Sequence, residues 1–158
     1  MSSSETIVIS ETGKGNYQVE AKVGDASFLI DEPVEVGGLG SGPNPYNLIA
    51  SALGACTTMT IRLYANRKGW PLSHVQTAVR HSRAGLNARD AFELDILLEG
   101  ALDDAQRARL MEIAEKCPVH LTLARGSEVS ARMVAPAAVP QPQTGTGHVA
   151  CMVEACAD

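Results

Sequence analysis

The first thirty residues alternate between apolar and polar positions. The segments "ETIVIS" and "YQVEAKV" both alternate, and the turn residues of "ETGKGN" separate them. A third segment, "ASFLID", follows the tight-turn signal Gly24-Asp25. This period of two is typical of half-buried strands, and short turns favour antiparallel pairing. The pattern predicts a small antiparallel meander.

A long helix is predicted after this meander. Residues 31–45, "DEPVEVGGLGSGPNP", are predicted to form a loop because glycine and proline interrupt regular structure. Apolar residues then recur every three or four positions over residues 48–63, as on a helix. Asn44 is a candidate N-cap, Pro45 the first helical residue, and the helix should end near Lys68. Because this helix is apolar on several faces, we expect a second chain to cover part of it.

The second half of the chain contains two further strands, two helices and a closing strand in our interpretation. Asp103 can cap the first of these helices, and Pro118 ends it. The predicted segments are, in order, the strands "HVQTAVRHSR" and "AFELDILLEGAL", the helix "DDAQRARLMEIAEKC", the short helix "CPVHLTLARG" and the strand "SEVSARMV". The resulting order βββ–α–ββ–α–α–β indicates an α+β fold in which the strands are antiparallel.

The composition changes at Ala135. Residues 135–158 begin with "APAAVPQPQTGTG", a composition typical of linkers, so we predict a domain over residues 1–134 and a flexible C-terminal tail over residues 135–158. Cys151 and Cys156 in this tail are expected to be solvent-exposed thiols without a dedicated role.

Composition and charge narrow the possible functions. The 158 residues are 45% hydrophobic and 20% charged, which is ordinary for one globular domain. A formal net charge of −5 and the lack of a basic stripe argue against nucleic acid as a partner. The chain has no uninterrupted apolar run of roughly 18 residues and no signal-peptide pattern in "MSSSETIVIS". We therefore predict no membrane association and a cytoplasmic location.

Cys56 and Cys117 are the candidate reactive residues. Cys56 lies in the middle of the long helix, and Cys117 lies 61 positions later, where a helix ends at a proline. Buried structural cysteines are the commoner case. However, the small neighbours Gly54 and Ala55 leave access to the sulfur of Cys56, and a second thiol could trap a sulfenic acid. A thiolate would need a nearby cation or hydrogen-bond donor, so both interpretations stay open at this point.

Other chemistries have weaker support. The chain has no CxxC motif, and neither the Cys117/His120 pair nor the His148/Cys151 pair is accompanied by a second pair, so no metal site is predicted. Spacing places none of the four histidines beside Cys56, which disfavours a hydrolase-type Cys–His nucleophile. The segment "GGLGSGP" lacks the Lys-Ser/Thr ending of a phosphate-binding loop.

Three blocks of the chain occur in a characteristic order and spacing. They are "DEPVEVGG", "GGLGSGPNPYNLIASALGACTTMTIRLYANRKGWPL" and "LLEGALDDAQRARLMEIAEKCPVHLTL". In these blocks the chain resembles the OsmC/Ohr family of thiol-dependent peroxidases, with the family's first cysteine at Cys56 and its Cys-Pro pair at Cys117-Pro118. The resemblance extends over about residues 5 to 134.

The resemblance implies a fold, a partner and a reaction. The fold would consist of antiparallel β-sheets around long central helices in an intertwined homodimer. Cys56 would reduce organic, fatty-acid type hydroperoxides in oxidative-stress defence, with hydrogen peroxide as a further candidate substrate. Its sulfenic acid would condense with Cys117 to a disulfide. No cofactor is implied beyond an external dithiol reductant, which is a lipoylated protein in the Ohr branch.

The chain departs from the Ohr pattern around the first cysteine. Tyr46 stands where Ohr proteins have a glutamate that holds an active-site arginine, and the first 61 residues contain no arginine. Lys14 is the nearest cation of the meander, while His120 is retained but is followed by Leu121 instead of arginine. Tyr46, His120 and Lys14 are therefore supporting candidates, and the activating cation is not identified. The alternative function is a non-enzymatic OsmC-like module that binds a small apolar ligand or senses oxidants.

Overall fold

A computed structural model describes residues 5–158, so residues 1–4 of the predicted domain lie outside the described residues. The chain divides into two compact units. The first contains the residues up to Leu48 together with Glu128–Gly147, and the second contains Ile49–Ser127 and His148–Asp158. The domain boundary predicted at residue 134 stays a prediction.

The first unit contains the predicted meander. Its strands β1 (Ile7–Glu11), β2 (Val19–Val23) and β3 (Ala26–Ile30) form an antiparallel sheet in the order β1-β2-β3. On the middle strand, Ala21 is fully buried and lies opposite Ile9 and Phe28. The alternation of apolar and polar residues thus predicted both the strands and their antiparallel pairing.

A buried carboxylate organises the glycine-rich loop after β3. Asp31 accepts hydrogen bonds from the hydroxyl of Ser41 at 2.6 Å and from the backbone N–H groups of Glu32, Leu39 and Ser41. The Ser41 hydroxyl is the largest of the influences that hold the pKa of Asp31 below its usual value. The backbone donors of this loop are directed at a carboxylate of the chain itself, which agrees with the absence of a phosphate-binding motif.

Apart from a final helix that the sequence did not predict, the remaining elements agree closely with the predicted segments. At the start of the long helix, Asn44 and Asn47 exchange side-chain to backbone hydrogen bonds, which confirms Asn44 as the cap. Asp103 and Gln106 form a capping box at the start of the second helix. The elements are α1 (Pro45–Lys68), β4 (Leu72–Ser82), β5 (Ala91–Gly100), α2 (Asp104–Ala114), α3 (Pro118–Arg125) and α4 (Gly147–Ala155).

The core of the second unit lies between helices α1 and α2 and one face of the β4–β5 hairpin. Val75, Thr77 and Val79 on β4 share this face with their apolar partners on β5. Thr58 on α1 donates a hydrogen bond to Thr77 at 2.9 Å. A Cβ atom at Gly54 would lie 3.0 Å from Cγ2 of Val79, so glycine permits the close approach of α1 to the strand. The core side chains include Ile61, Tyr64, Ala65, Leu72, Leu102, Leu110 and Ile113.

Helix α1 is by length and composition apolar enough to cross a membrane. However, 44% of its most apolar window is buried inside the protein. Core helices of folded domains pass the same test, and the packing of α1 on β4 is that of a core helix.

The predicted closing strand over residues 127–134 is wrong. The structure has no strand there, and the side chains of Val129 and Met133 are 91% and 98% exposed. A strand requires a hydrogen-bonding partner, and no strand of the described chain pairs with this segment. The alternation of apolar and polar residues is present, but a single chain supplies no partner.

The predicted tail also differs from the expectation. The structure places helix α4 within residues 135–158, and Cys156 is only 3% exposed. The expectation of an exposed thiol is therefore wrong for Cys156 and confirmed for Cys151. The physical reason is that α4 is apolar along one face, where Met152 and Cys156 are both buried.

Candidate active site

Cys56 and Cys117 are joined by a disulfide. Their Cα atoms are 6.0 Å apart, a usual separation for disulfide-bonded residues. Cys56 is 1% exposed and Cys117 is fully buried. The structure thus brings together the two cysteines that the resemblance to the OsmC/Ohr family pairs, although they lie 61 positions apart in the chain.

Each cysteine has a distinct position on its element. Cys56 lies in the middle of α1, where the buried hydroxyls of Thr57 and Thr60 donate to the carbonyls of Leu53 and Cys56 at 2.9 and 2.7 Å. These bonds satisfy the polar groups of a buried helix face. Cys117 is the N-cap residue of α3, and Pro118 is the first residue of that helix. Since proline cannot continue α2 and suits the start of a helix, it sets Cys117 at the corner between two helices.

Two polar groups approach the sulfur of Cys56. The backbone N–H of Val119 donates to Cys56 Sγ at 3.5 Å. This N–H belongs to the first turn of α3, whose donors have no partner within the helix and lie at the positive end of its dipole. The second group is the imidazole of His148, whose Nε2 lies 3.2 Å from Cys56 Sγ. Both groups suit a sulfur atom that carries negative charge.

Sequence reasoning missed His148. It lies 92 positions after Cys56, in the segment predicted to be a flexible tail, and the expectation that no histidine lies beside Cys56 is wrong. A signal was nevertheless present, because His148, Met152 and Cys156 are spaced by four residues and therefore share one face of a helix. That spacing predicts which residues of α4 face inward, but not that Cys56 lies opposite them.

The C-terminal end of α4 is attached to α1 and α2 through Asp158. The carboxylate of Asp158 pairs with Lys68 and Arg109 at 2.6 Å each and accepts a hydrogen bond from the hydroxyl of Tyr64 at 2.8 Å. Lys68 is the largest of the influences that hold the pKa of Asp158 well below its usual range. Since Asp158 lies only three residues after the last residue of α4, these contacts hold the end of the helix in place.

The body of α4 makes two further contacts with α1. Arg67 donates to the carbonyl of Val153 at 3.2 Å, and the thiol of Cys156 donates to the carbonyl of Thr60 at 3.6 Å. Burial raises the pKa of the Cys156 thiol, which favours its neutral form. Cys156 therefore acts as a small buried packing residue, in contrast to the pair at Cys56 and Cys117.

A pocket of about 390 Å³ is lined by residues of α1, α3 and the start of β5. Leu53, one turn before Cys56, and His120, three residues after Cys117, both line it. The rest of the apolar wall includes Phe92, Leu94 and Leu123, and the polar lining includes Arg89 and Asp90. The combination of apolar walls and a few polar groups is typical of small-molecule sites.

Asp90 is itself held by a neighbouring arginine and a neighbouring histidine. Arg83 donates to its carboxylate through Nε and Nη2, both at 2.9 Å, and His81 Nε2 lies 2.6 Å from it. Arg83 first and His81 second lower the pKa of Asp90 to about 2. At neutral pH this carboxylate is therefore ionised and paired.

The supporting candidates His120, Lys14 and Tyr46 lie in different parts of the chain. His120 lines the pocket of the second unit. Lys14 lies between β1 and β2, where its backbone N–H donates to the hydroxyl of Thr12 at 3.2 Å, and Tyr46 lies in the first turn of α1. Both belong to the first unit, so the roles expected for them stay predictions. Within residues 5–158, no group of three or more histidine, cysteine or acidic side chains could hold a metal ion.

Comparisons with known proteins identify a family model that matches the chain. A family model described as OsmC-like protein matches residues 38–132, which include both cysteines of the disulfide and exclude His148. No curated protein sequence matches the chain.

Several solved structures are similar to this one. An organic hydroperoxide resistance protein OsmC from Legionella pneumophila is 26% identical, with a TM-score of 0.52 over 77% of this chain and 91% of that chain. A putative organic hydroperoxide resistance protein from Vibrio cholerae, with captopril bound in one of its active sites, is 24% identical. Its TM-score is 0.55, and the match covers 78% of this chain and 87% of that chain. A putative osmotic stress induced and detoxification response protein from Psychrobacter arcticus is 21% identical. Its TM-score is 0.66, and the match covers 77% of this chain and 90% of that chain.

Proposed function

The chain belongs to the OsmC-like protein family, and on that premise we propose that it is a cysteine-based peroxidase that reduces organic hydroperoxides. The observation that carries the proposal is the disulfide between Cys56 and Cys117, which lies within the matched region. Leu53 and His120, each three residues from one of these cysteines, line a pocket. The name of the Legionella protein, an organic hydroperoxide resistance protein, supports the same chemistry.

The first step of the proposed reaction takes place at Cys56. Its thiolate attacks the terminal oxygen of the hydroperoxide, the O–O bond breaks, and the products are Cys56 sulfenic acid and an alkoxide, which takes up a proton to give the alcohol. The N–H of Val119 at the start of α3 supports this step, because it donates to the sulfur that carries the charge.

The second step forms the disulfide. The Cys117 thiolate attacks the sulfur of the Cys56 sulfenic acid, an S–S bond forms, and hydroxide leaves to become water. An external dithiol, for which a lipoylated protein is our candidate, then reduces the disulfide to two thiols and is itself oxidised to a disulfide. The close approach of the two cysteines supports a direct condensation without a large rearrangement.

The pocket supports an organic substrate of the fatty-acid type over hydrogen peroxide. A hydrocarbon chain could lie against Phe92, Leu94 and Leu123, and Arg89 offers a positive charge to a carboxylate. Hydrogen peroxide would gain nothing from these apolar walls, since they act only through the burial of apolar surface. We therefore propose that organic hydroperoxides react faster than hydrogen peroxide.

Mass spectrometry on the fully reduced protein tests the reaction. After one equivalent of cumene hydroperoxide, we expect rapid formation of the Cys56–Cys117 disulfide, and slower formation with hydrogen peroxide. Cys56→Ser should abolish peroxide consumption. Cys117→Ser should leave Cys56 to over-oxidise, seen as added oxygen atoms. Cys151→Ser, which removes an exposed cysteine on α4, is the matched control and should behave as the wild type.

A different outcome would identify the second candidate function. If Cys56 and Cys117 both remain thiols while Cys151 oxidises slowly, or if Cys56→Ser consumes peroxide as fast as the wild type, the peroxidase proposal fails. The pocket would then favour a module that binds a small apolar ligand.

A further inference from the structure

The sulfur of Cys56 faces the imidazole of His148 at 3.2 Å. We propose that His148 is the general base that removes the proton from the Cys56 thiol and then the general acid that protonates the leaving alkoxide. The first half of this proposal concerns only the two side chains, while the second half rests on the proposed peroxidase function.

Cys56 needs a base or a cation beside its thiol in order to react as a nucleophile. A thiol becomes a strong nucleophile only as the thiolate, and a cation or a base beside it promotes its ionisation. The first 61 residues of the chain contain no arginine that could serve. Within the part of the chain that the structure describes, the groups that hydrogen-bond to Cys56 Sγ are the Val119 N–H and the His148 imidazole. Of these two, His148 is the one that can accept a proton.

The proton balance of the proposed step is complete. The Cys56 thiol transfers its proton to Nε2 of His148, which yields a thiolate beside an imidazolium. The thiolate attacks the terminal peroxide oxygen and becomes the sulfenic acid, while the O–O bond breaks and the electron pair leaves with the alkoxide. The imidazolium of His148 then gives its proton to the alkoxide, which becomes the alcohol, and His148 returns to the neutral form.

The helix that carries His148 is held firmly enough for this role. His148 is the second residue of α4 and is half-buried, and the other end of the helix is attached through Asp158 and Val153. A base must stay within hydrogen-bond reach of the proton that it removes. The contacts of α4 with α1 therefore serve the chemistry, because they hold the imidazole over the sulfur.

Within residues 5–158, few other titratable groups contact Cys56 and His148. Cys117 shares the disulfide with Cys56, and Cys156 directly follows α4, with its thiol at the carbonyl of Thr60. The charged groups that contact the α4 region lie at its C-terminal end, and they are Arg67, Lys68, Arg109 and Asp158. A change in the titration of Cys56 on substitution of His148 would therefore report on the imidazole itself.

The assignment concerns a part of the chain that the family model does not match. The region matched by the family model ends at residue 132, so His148 lies outside it. The segment after residue 134, which composition alone predicts to be a linker, would then supply a catalytic residue of the site.

The test compares His148→Gln with His74→Gln on the full-length reduced protein. His74 is an exposed histidine on β4 and serves as the matched control. Two quantities are followed between pH 5 and 10, which spans the ordinary range of histidine and cysteine titration. The first is the ionisation of Cys56, from the thiolate absorbance that Cys56→Ser removes. The second is the rate of Cys56 oxidation by cumene hydroperoxide in stopped flow.

We expect His148→Gln to slow the oxidation of Cys56 by about 100-fold near neutral pH, the usual scale of a lost acid–base group. The ionisation of Cys56 should move to higher pH, towards the value of about 8.5 of a free thiol. His74→Gln should match the wild type in both measurements. Since glutamine can still hydrogen-bond but cannot transfer a proton, a purely structural role would be largely preserved in His148→Gln.

A second variant covers the case in which the substitution disturbs the fold. His148→Ala opens space beside the sulfur, and added imidazole should restore part of the oxidation rate, while circular dichroism reports whether the helices remain. Unchanged ionisation and oxidation of Cys56 in His148→Gln would overturn the proposal and leave the peroxidase function in place. If the wild type does not react with peroxide, the proposed function fails, and the ionisation of Cys56 still decides whether His148 acts as its base.

Discussion

The sulfur of Cys56 shows how the surroundings of a candidate reactive residue depend on atoms far away in the chain. Its helix presents it in a buried position, where an isolated thiol stays neutral because burial disfavours the charged form. The Val119 N–H and the His148 imidazole oppose that effect, since both can donate to a thiolate. Cys156 is the useful contrast, because its buried thiol meets only a backbone carbonyl and burial raises its pKa.

At the residue scale, Asp90 should make the stability of the protein depend on pH. Its pKa is held at about 2, below the value of about 3.9 in an unfolded chain, so the ionised form stabilises the fold above about pH 4. This contribution should be lost as the pH falls from about 4 through about 2. We expect Asp90→Asn to be less stable than the wild type at pH 7 and to show a smaller loss of stability over that acid interval.

Thermal unfolding at a series of pH values measures this effect. Asp25→Asn is the control, because Asp25 is an exposed carboxylate without an ion pair among the described residues. Added salt should reduce the difference, since Asp90 is partly exposed to solvent. An identical pH dependence in Asp90→Asn and the wild type would contradict the prediction.

At the element scale, α4 is the element whose position matters most for the site. It lies in a proline- and glutamine-rich part of the chain, and its contacts with α1 and α2 depend largely on the cluster around Asp158. A helix of nine residues is not stable alone in water, so tertiary contacts must hold it in place.

Asp158→Asn should loosen α4. Without its charge, the side chain pairs more weakly with Lys68 and Arg109, and the helix should open more often. We expect alkylation of the buried Cys156 to become several-fold faster, measured by peptide mapping over time. Cys151 on the same helix is already exposed and serves as the internal reference.

Glu154→Gln, a neutralised carboxylate on an exposed part of α4, is the matched control for Asp158→Asn. It should leave the reactivity of Cys156 as in the wild type. If both variants alkylate Cys156 at the wild-type rate, the Asp158 cluster does not hold the helix in place.

At the scale of the whole molecule, several apolar surfaces are exposed to solvent. Ile7, Ile9 and Phe28 on the first sheet are 47%, 51% and 42% exposed, and Met59 on α1 is 52% exposed. The segment 127–134 has the alternation of a strand without a partner strand. Contiguous exposed apolar surface is typical of interaction sites, which agrees with the homodimer expected from the resemblance.

We expect the protein to be a dimer in solution. Light scattering should give about twice the chain mass of 16.6 kDa. Met133→Asp, which places a charge on the exposed segment, should shift the equilibrium towards the monomer. Leu86→Asp between β4 and β5, where the leucine is 86% exposed, is the control and should leave the mass unchanged. A wild-type mass of 16.6 kDa at micromolar concentration would contradict the expectation.

Local patterns were sufficient for most of the individual elements up to Arg125. The alternation in β1–β3 and the three-to-four periodicity of α1 depend on neighbours within a few residues, as do the caps at Asn44 and Asp103. The Cys-Pro sequence likewise predicted the corner at Cys117. Such signals are present in the sequence because they arise from short-range geometry.

The partners of these elements were decided only by the three-dimensional packing. Residues 127–134 have a strand pattern, but no strand of the described chain pairs with them, because pairing requires an edge as well as a pattern. His148 lies beside Cys56 because α4 packs on α1, a contact across 92 positions that no local period encodes. Hydrophobic burial depends on which apolar surfaces meet in three dimensions and not on their order in the chain. It can therefore bring a residue of an apparent linker beside a cysteine of the candidate site.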